Sequence, residues 1–563
     1  MFSVPWGLSF VIGFLSLSEE ILWVRVAGFA YNTLPPAFSF VLACYLVGIA
    51  GGAAFGKTLC GRAQNLYGVA AIVLSAAALI DVLTPVLISH LMSPDSAHLG
   101  IPALAIAVTA AAKSTLFPIV HHLGSLAQGP RIGRSMSRIY FANIIGATLG
   151  PLVTGFVILD RLGVDDCFGA IAAFCLLASV VCVLKSARPA LMAVTFTTAL
   201  ISSVVASKFI LPGPGSIGAF AAGGTQNLTH FISNRHGVIH TALTNEGELV
   251  FGGNVYDGIA TANVDNNPNR LDRLYILALL HPNPRRILFV GLSSGAWVRA
   301  IQGFPSAERI DVVEINPGYL ELIRSYPQVS AVLKDPRIHI HIDDGRRWLR
   351  RNPEARFDAI VQNTTYYWRA NAGNLLSREY FTEVRHHLDP GGIVLANTTG
   401  SFDVLATANA VFAHAYRYVN FVYASDQPLT PQPSRLQAIR RPDGHPFTFD
   451  GVKPSSVAAA LENVKLEPVG EFLARHQADA EVITDDNLLT EYRHGLRFGP
   501  PVLQMLQPAA VPHFEGSDPK SPRPLRAPGD YLSLPGAAPT ASSGSSSPAL
   551  DLSRLMRTQI SSR

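Results

Sequence analysis

The stretch ILFVGLSSGAWVRAIQGFPSAERIDVVE, residues 287–314, decides the fold of the charged part of this chain. Ile287 to Val290 is a short, wholly apolar, β-branched run of the kind that forms a strand buried on both faces. It enters GLSSG at 291–295, a helix is expected from Ala296, and Ile310 to Val313 form a second strand closed by Glu314. Glycines at this turn let the backbone bend tightly against a nucleoside, and an acid about 20 residues further on can accept both ribose hydroxyls. Gly291, Gly295 and Glu314 fit those roles. A third strand, Ile338 to Ile342, runs into DDGRRWL at 343–349, where Asp344 is the candidate for an adenine amino group. Ser293 and Gly345, within the two turns, complete the candidate nucleoside set. A fourth strand, Ala359 to Val361, follows Asp358 and ends at Gln362 and Asn363, where the edge of the sheet should open over the reacting atoms. GxxxG occurs by chance, and an acid after a strand is often only a helix cap. In this order, however, the pieces specify a nucleoside-binding α/β domain of the Rossmann-like, methyltransferase type with a mainly parallel sheet, extending over about residues 225–495.

The sequence on either side has a different chemistry. Of 84 charged residues (44 Lys and Arg, 40 Asp and Glu), 17 lie in residues 1–207 and 67 in the other 356, or 8% against 19%. The first third therefore has too few charges for the surface of a water-soluble domain. It divides into about seven apolar stretches near the ~20 residues that a helix needs to cross a bilayer: 6–28, 35–56, 68–92, 99–122, 139–160, 167–185 and 189–207. Repetition argues for retained spans rather than a cleaved leader. The expectation is a multi-pass helical domain whose partner is the lipid bilayer, with the cell (plasma) membrane as its location.

Basic residues mark alternate links (Lys57 and Arg62; Arg131, Arg134 and Arg138; Lys185 and Arg188), which puts the N-terminus on the cytoplasmic side. Seven spans would then leave the charged part outside. Six or eight would not, and Ala190 to Ser207, rich in Thr and Ser, is the weakest of the seven. Glu19, Glu20, Arg25, Asp81 and Lys113 fall inside spans, where each must face protein, water or a partner. Two readings stand: a polar binding or transport path, or interhelical pairs such as Glu20 with Arg25. Gly48, Gly51, Gly52 and Gly56, and Gly146 with Gly150, suit close helix packing.

Other classes are disfavoured. A net charge of +4 is too diffuse for a nucleic-acid partner. All five cysteines (Cys44, Cys60, Cys167, Cys175, Cys182) lie in the apolar third, with no CxxC pair or Cys/His spacing for a metal. His236, His386 and His387 have no partner spacing that supports acid–base work. Beyond residue 500 the chain turns to Pro, Ser, Ala and Gly and is expected to be a disordered tail. The expected domains are thus 1–209, 210–498 and 499–563.

Taken in order, GLSSG at 291–295, VVEINP at 312–317, DPRIHIHIDDGRRWL at 335–349, FDAIV at 357–361, NLLSREYF at 374–381 and LDPGGI at 388–393 resemble the spermidine synthases. EEILWVR at 19–25, YFANIIGATLGP at 140–151 and TDDNLLTEY at 484–492 resemble the membrane-fused branch of that family. The resemblance implies a pocket for decarboxylated S-adenosylmethionine, or for a relative such as S-adenosylmethionine, with Glu314 on the ribose and Asp344 on the adenine. It implies aminopropyl transfer to an amine acceptor in polyamine metabolism, without a metal. A homo-oligomer is left open.

Two departures bear on that chemistry. The family's first turn carries Gly-Asp-Gly where this chain has Ser293, Ser294 and Gly295. The family's amine-anchoring aspartate after the fourth strand is Asn363 here, and an amide cannot take a proton at neutral pH. The segment NTTYYWRANAGNLLS at 363–377 offers Tyr366, Tyr367 and Trp368 to stack on a ligand and Arg369 to receive an anion, or else it packs as a lid. Asp485, Asp486 and Glu491 could replace the missing acids if the chain folds back onto the pocket. A transferase is the first expectation. The alternatives are a ligand-binding sensor without turnover and a transporter regulated by its soluble domain.

Overall fold

The computed structural model describes residues 3–91, 100–126, 132–186, 188–209, 217–218, 228–244, 247–363, 366–447, 455–462, 464–487 and 489–493. The tail expected over 499–563 lies outside the described residues. The chain forms two compact units, Met1–Ala242 and Leu243–Arg497.

The first unit is a helical bundle made of α1 (Val4–Ala30), α2 (Pro35–Arg62), α3 (Leu66–Leu91), α4 (Gly100–Ser114), α5 (Leu116–Leu126), α6 (Ile132–Val153), α7 (Val164–Ser186) and α8 (Pro189–Phe209). Proline opens α1 and α2, at a position where its missing N–H costs nothing. Among the described residues six helices, not seven, are long and apolar enough to cross a bilayer, with mean hydropathy from 1.5 to 2.6. The fourth of these, Gly100–Ser125, joins α4 and α5. Residues 189–207 do form a helix, but its apolar run, Ala190–Ser202, is shorter. Its hydroxyls turn inward, where Ser75, Ser179 and Thr195 bond one another across α3, α7 and α8 at 3.0–3.4 Å.

The bundle has a buried apolar core but also exposes many apolar side chains while burying charges. Phe38, Leu46, Val47, Phe55, Leu104, Phe141, Phe156, Leu177 and Leu184 are 55–69% exposed, whereas Glu19, Asp81 and Lys113 are at most 1% exposed. A surface this apolar is stable only where the surroundings are apolar too. Small residues let the helix backbones touch. A Cβ on Gly48, Gly52 or Gly56 of α2 would strike the backbone carbonyl of Ala107, Ala111 or Thr115. Gly146 and Gly150 of α6 meet Phe10 and Phe14 of α1 in the same way, while Gly51 faces open space. Arg25 does not pair with Glu20. Its guanidinium donates to the backbone carbonyls of Asn234 and Arg235, in the turn of an antiparallel hairpin, β1 (Leu228–Asn234) and β2 (Gly237–Thr244).

In the second unit β3 (Gly247–Gly252) and β4 (Val255–Ile259) pair antiparallel. Eight strands follow: β5 (Arg286–Val290), β6 (Arg309–Glu314), β7 (Ile338–Ile342), β8 (Phe357–Gln362), β9 (Leu388–Asn397), β10 (His414–Tyr418), β11 (Phe421–Ser425) and β12 (Glu467–Pro468). They form one sheet in the order β12-β10-β11-β9-β8-β5-β6-β7. Strands β5 to β9 are parallel; β10 and β11 return antiparallel at one side. This is the α/β, Rossmann-like architecture expected from the sequence. Ile287 to Val290 are at most 3% exposed, because β5 lies at the centre with a crossover helix on either hand. The strand order reverses between β5 and β8; in such sheets ligands bind outside the carboxyl ends of the strands at that point.

Gly52→Leu should disrupt the contact of α2 with α4, at about 1–3 kcal/mol or more for overpacking against backbone. Gly51→Leu, one residue away with open space around it, should change little. Thermal unfolding of the two variants in detergent checks the difference.

Candidate functional site

The carboxyl ends of β5, β6, β7 and β8 carry the residues singled out in the sequence. After β5 the backbone turns through Gly291 (φ 96°), Ser293 (φ 50°) and Gly295 (φ 75°). A side chain at 295 would be strained by its φ and would also meet Ile323 Cδ1 at 2.9 Å. Ser293 tolerates positive φ because its hydroxyl donates to the carbonyl of Asp257. Gly291 and Ser293 are partly accessible, whereas Leu292 and Ser294 are buried.

Glu314 ends β6 directly beside this turn. Its Oε2 accepts the Leu292 N–H and its Oε1 the Asn316 N–H, both at 2.8 Å. The carboxylate thereby ties the glycine turn to the turn after the next strand. Burial pushes the Glu314 carboxyl up to about 7; the backbone amides oppose that shift and the nearby Asp257 adds to it.

At the end of β7, Asp344 caps the helix Gly345–Arg351, its Oδ1 accepting the Arg347 N–H at 2.8 Å. The cap and the candidate adenine contact therefore fall on the same side chain, which stays partly accessible. Gly345 lets the helix start press on β5, since a Cβ there would sit 2.7 Å from Val290 Cγ1. Ile315 and Ile342, next to the acids at the ends of β6 and β7, are 51% and 46% exposed.

Asn363 follows β8 and accepts from the Asn397 side chain at 2.9 Å. Asn397 in turn accepts from Asn420 and from the Thr399 N–H, so a chain of amides stands where a proton acceptor was sought. Beyond it, Tyr367 and Trp368 are 1% and 7% exposed and pack into the domain. Tyr366 stacks on Trp368 at 5.3 Å and retains accessible surface. Arg369 is drawn electrostatically to Asp257 and Tyr319.

Asp257 and Tyr319 escaped the sequence reading. Tyr319 Oη donates to Asp257 Oδ2 at 2.5 Å, and burial pushes the Asp257 carboxyl up to about 6, with Tyr319, Arg369 and Ser293 opposing. Asp257 lies on β4, 34 residues before Gly291, in a segment without strand–turn–helix order, so no local signal singled it out. The chain does fold back, but the acids it brings are structural. Asp485 makes a two-pronged pair with Arg346 at 2.6–2.7 Å and accepts from Ser377. Glu491 accepts the Asn371 and Gly373 N–H groups at 2.9 and 2.7 Å. Of the histidines, His387 is buried against backbone carbonyls, and His236 is exposed beside Arg235.

This geometry defines a Rossmann-like α/β domain. Residues 276–418, which include β5 to β10, match the family model described as spermine/spermidine synthase domain, so the chain carries a spermidine synthase-like domain. It is 31% identical over 114 residues to spermidine synthase 1 of Hyoscyamus niger, covering 20% of this chain and 36% of that protein. It is 30% identical over 154 residues to the polyamine aminopropyltransferase of Agathobacter rectalis, covering 27% and 49%. The chain thus spans less than half the length of these curated relatives. The crystal structure of spermidine synthase from Thermotoga maritima aligns with 45% of this chain and 87% of its own, at 16% identity and a TM-score of 0.35.

Glu491→Gln should release one of the two amides it holds, because the new NH2 faces an N–H donor. A loss of about 1–3 kcal/mol is expected for an unsatisfied buried group. Hydrogen–deuterium exchange should then rise at Asn371 and Gly373 and stay unchanged in β5.

Proposed function

We propose that this chain is a multi-pass membrane protein of the cell membrane whose second unit is a spermidine synthase-like transferase. The donor is an adenosyl sulfonium, decarboxylated S-adenosylmethionine or S-adenosylmethionine itself. With the decarboxylated donor the reaction is aminopropyl transfer to an amine, as in polyamine metabolism; S-adenosylmethionine would deliver a carboxylated aminopropyl or a methyl group instead. The observation that carries this reading is Glu314, held beside the glycine turn by the Leu292 and Asn316 amides; in this reading it accepts the ribose diol. Asp344 would take the adenine amino group, and Ile315 and Ile342 would cover the faces of the base. In the transfer a nitrogen–carbon bond forms as the carbon–sulfur bond breaks. The bonding pair leaves with sulfur as a neutral thioether, and the amine then sheds a proton. Alignment is what the site can supply; Asn363 cannot receive the proton, so the amine must arrive neutral. In the membrane unit, six crossings would return the chain to the side on which it began.

A second reading, a sensor that binds an adenosyl ligand without turnover, is favoured by one specific feature, the Asn363–Asn397–Asn420 amide chain in place of a carboxylate.

The experiment measures methylthioadenosine binding and aminopropyl transfer on the full-length protein. Glu314→Gln should weaken binding by about 1–3 kcal/mol, as for a charge-assisted hydrogen bond. Binding unchanged by that substitution removes the site. In the wild type the ionised carboxylate is the form that accepts the diol. Affinity should therefore fall as pH drops through about 7, by at most tenfold per unit for one proton, and Glu314→Gln should flatten the profile. Transfer to putrescine or spermidine in the wild type supports the enzyme. Binding without product, with transfer gained in Asn363→Asp, supports the sensor and identifies the missing group.

A further inference from the structure

Three helices of the apolar bundle each bring one ionisable side chain to a single buried point. Glu19 of α1, Asp81 of α3 and Lys113 of α4 are 0%, 0% and 1% exposed. Lys113 Nζ lies 2.6 Å from Asp81 Oδ1 and 3.0 Å from Glu19 Oε2. Two carboxylates around one ammonium carry a formal charge of −1, and burial of an uncompensated charge is costly. The other titratable groups acting on the cluster do not balance it. Tyr45 of α2 lies 3.4 Å from Glu19 Oε2 but gives its proton to the Ser16 carbonyl at 2.5 Å. Cys175 of α7 sits 3.9 Å from Asp81 Oδ2, and Glu20, at the rim on α1, is a further acid. Glu19 Oε1 is buried and has no hydrogen-bond partner among the described residues. An ionised oxygen in that position lacks the donors it needs.

We propose that Glu19, Asp81 and Lys113 form a binding site for one exchangeable proton within the helix bundle. Lys113 is the fixed counter-charge. The proton adds to the carboxyl pair, taking the cluster from −1 to neutral, and leaves to water when the bundle opens. Ionisable groups are retained in membrane helices chiefly at such sites. The bundle thereby has a function of its own, the uptake and release of a proton, in addition to the chemistry of the second unit.

The test is infrared difference spectroscopy of the full-length protein in lipid nanodiscs at neutral pH, in water and in deuterium oxide. The expected result is a carbonyl band of a protonated carboxylic acid that shifts on deuteration. It should vanish in both Glu19→Gln and Asp81→Asn, because each leaves one carboxylate balanced by Lys113. It should about double in Lys113→Met, which leaves two acids and no cation. Comparing variant with wild type cancels the contributions of Glu314 and Asp257. If the amide variants do not fold, Glu19→Asp keeps the carboxyl on a shorter stem and should shift the band. The proposal fails if the wild type shows no deuterium-sensitive acid band, or if the band is the same in all variants. It fails equally if the band appears only after sodium is removed, since the site would then hold a cation instead.

Discussion

The second unit depends on where one carboxylate is held. Glu314 bonds the amide of Leu292 in the turn after β5 and the amide of Asn316 in the turn after β6, so two loops that would otherwise move independently share an anchor. Such an anchor is stable only if the carboxylate is largely dry, and dryness pushes its proton affinity up. The group that fixes the crevice is therefore also a group whose charge is sensitive to pH near neutrality. Asp257 and Tyr319 lie next to it and extend the same logic, since a buried acid is held by a phenol and an arginine rather than by solvent.

In the helical unit the constraint is reversed. The helices pack through a buried apolar cluster and, in addition, through glycines, hydroxyls and charges. Gly48, Gly52 and Gly56 bring α2 onto α4, and Ser75, Ser179 and Thr195 join α3, α7 and α8. Glu19, Asp81 and Lys113 occupy the centre that leucines would fill in a soluble bundle.

Much of the second unit was legible residue by residue. The buried run at 287–290, the glycine turn, the acid at 314 and the acid pair at 343–344 each obey a local rule of period and spacing, and the sheet places them side by side. The seventh stretch, the weakest of those read from the sequence, does form a helix, with a shorter apolar run than the other six. Arg25 was matched with Glu20 because they are close in sequence, whereas a long guanidinium reaches carbonyls 209 and 210 positions away.

By itself, the sequence determined the division into an apolar and a charged part and the strand–turn–acid order around residues 287–314, and it placed an amide, Asn363, after the fourth strand. These follow from side-chain chemistry and short-range periodicity, which are local. Only the tertiary structure decided that Asp257 joins Ser293 and Tyr319, that Asp485 pairs with Arg346 and Ser377 while Glu491 holds the amides of Asn371 and Gly373, and that three charges from α1, α3 and α4 meet at one point. Those contacts join residues tens to more than a hundred positions apart, and their energies depend on burial and distance, which no local pattern encodes.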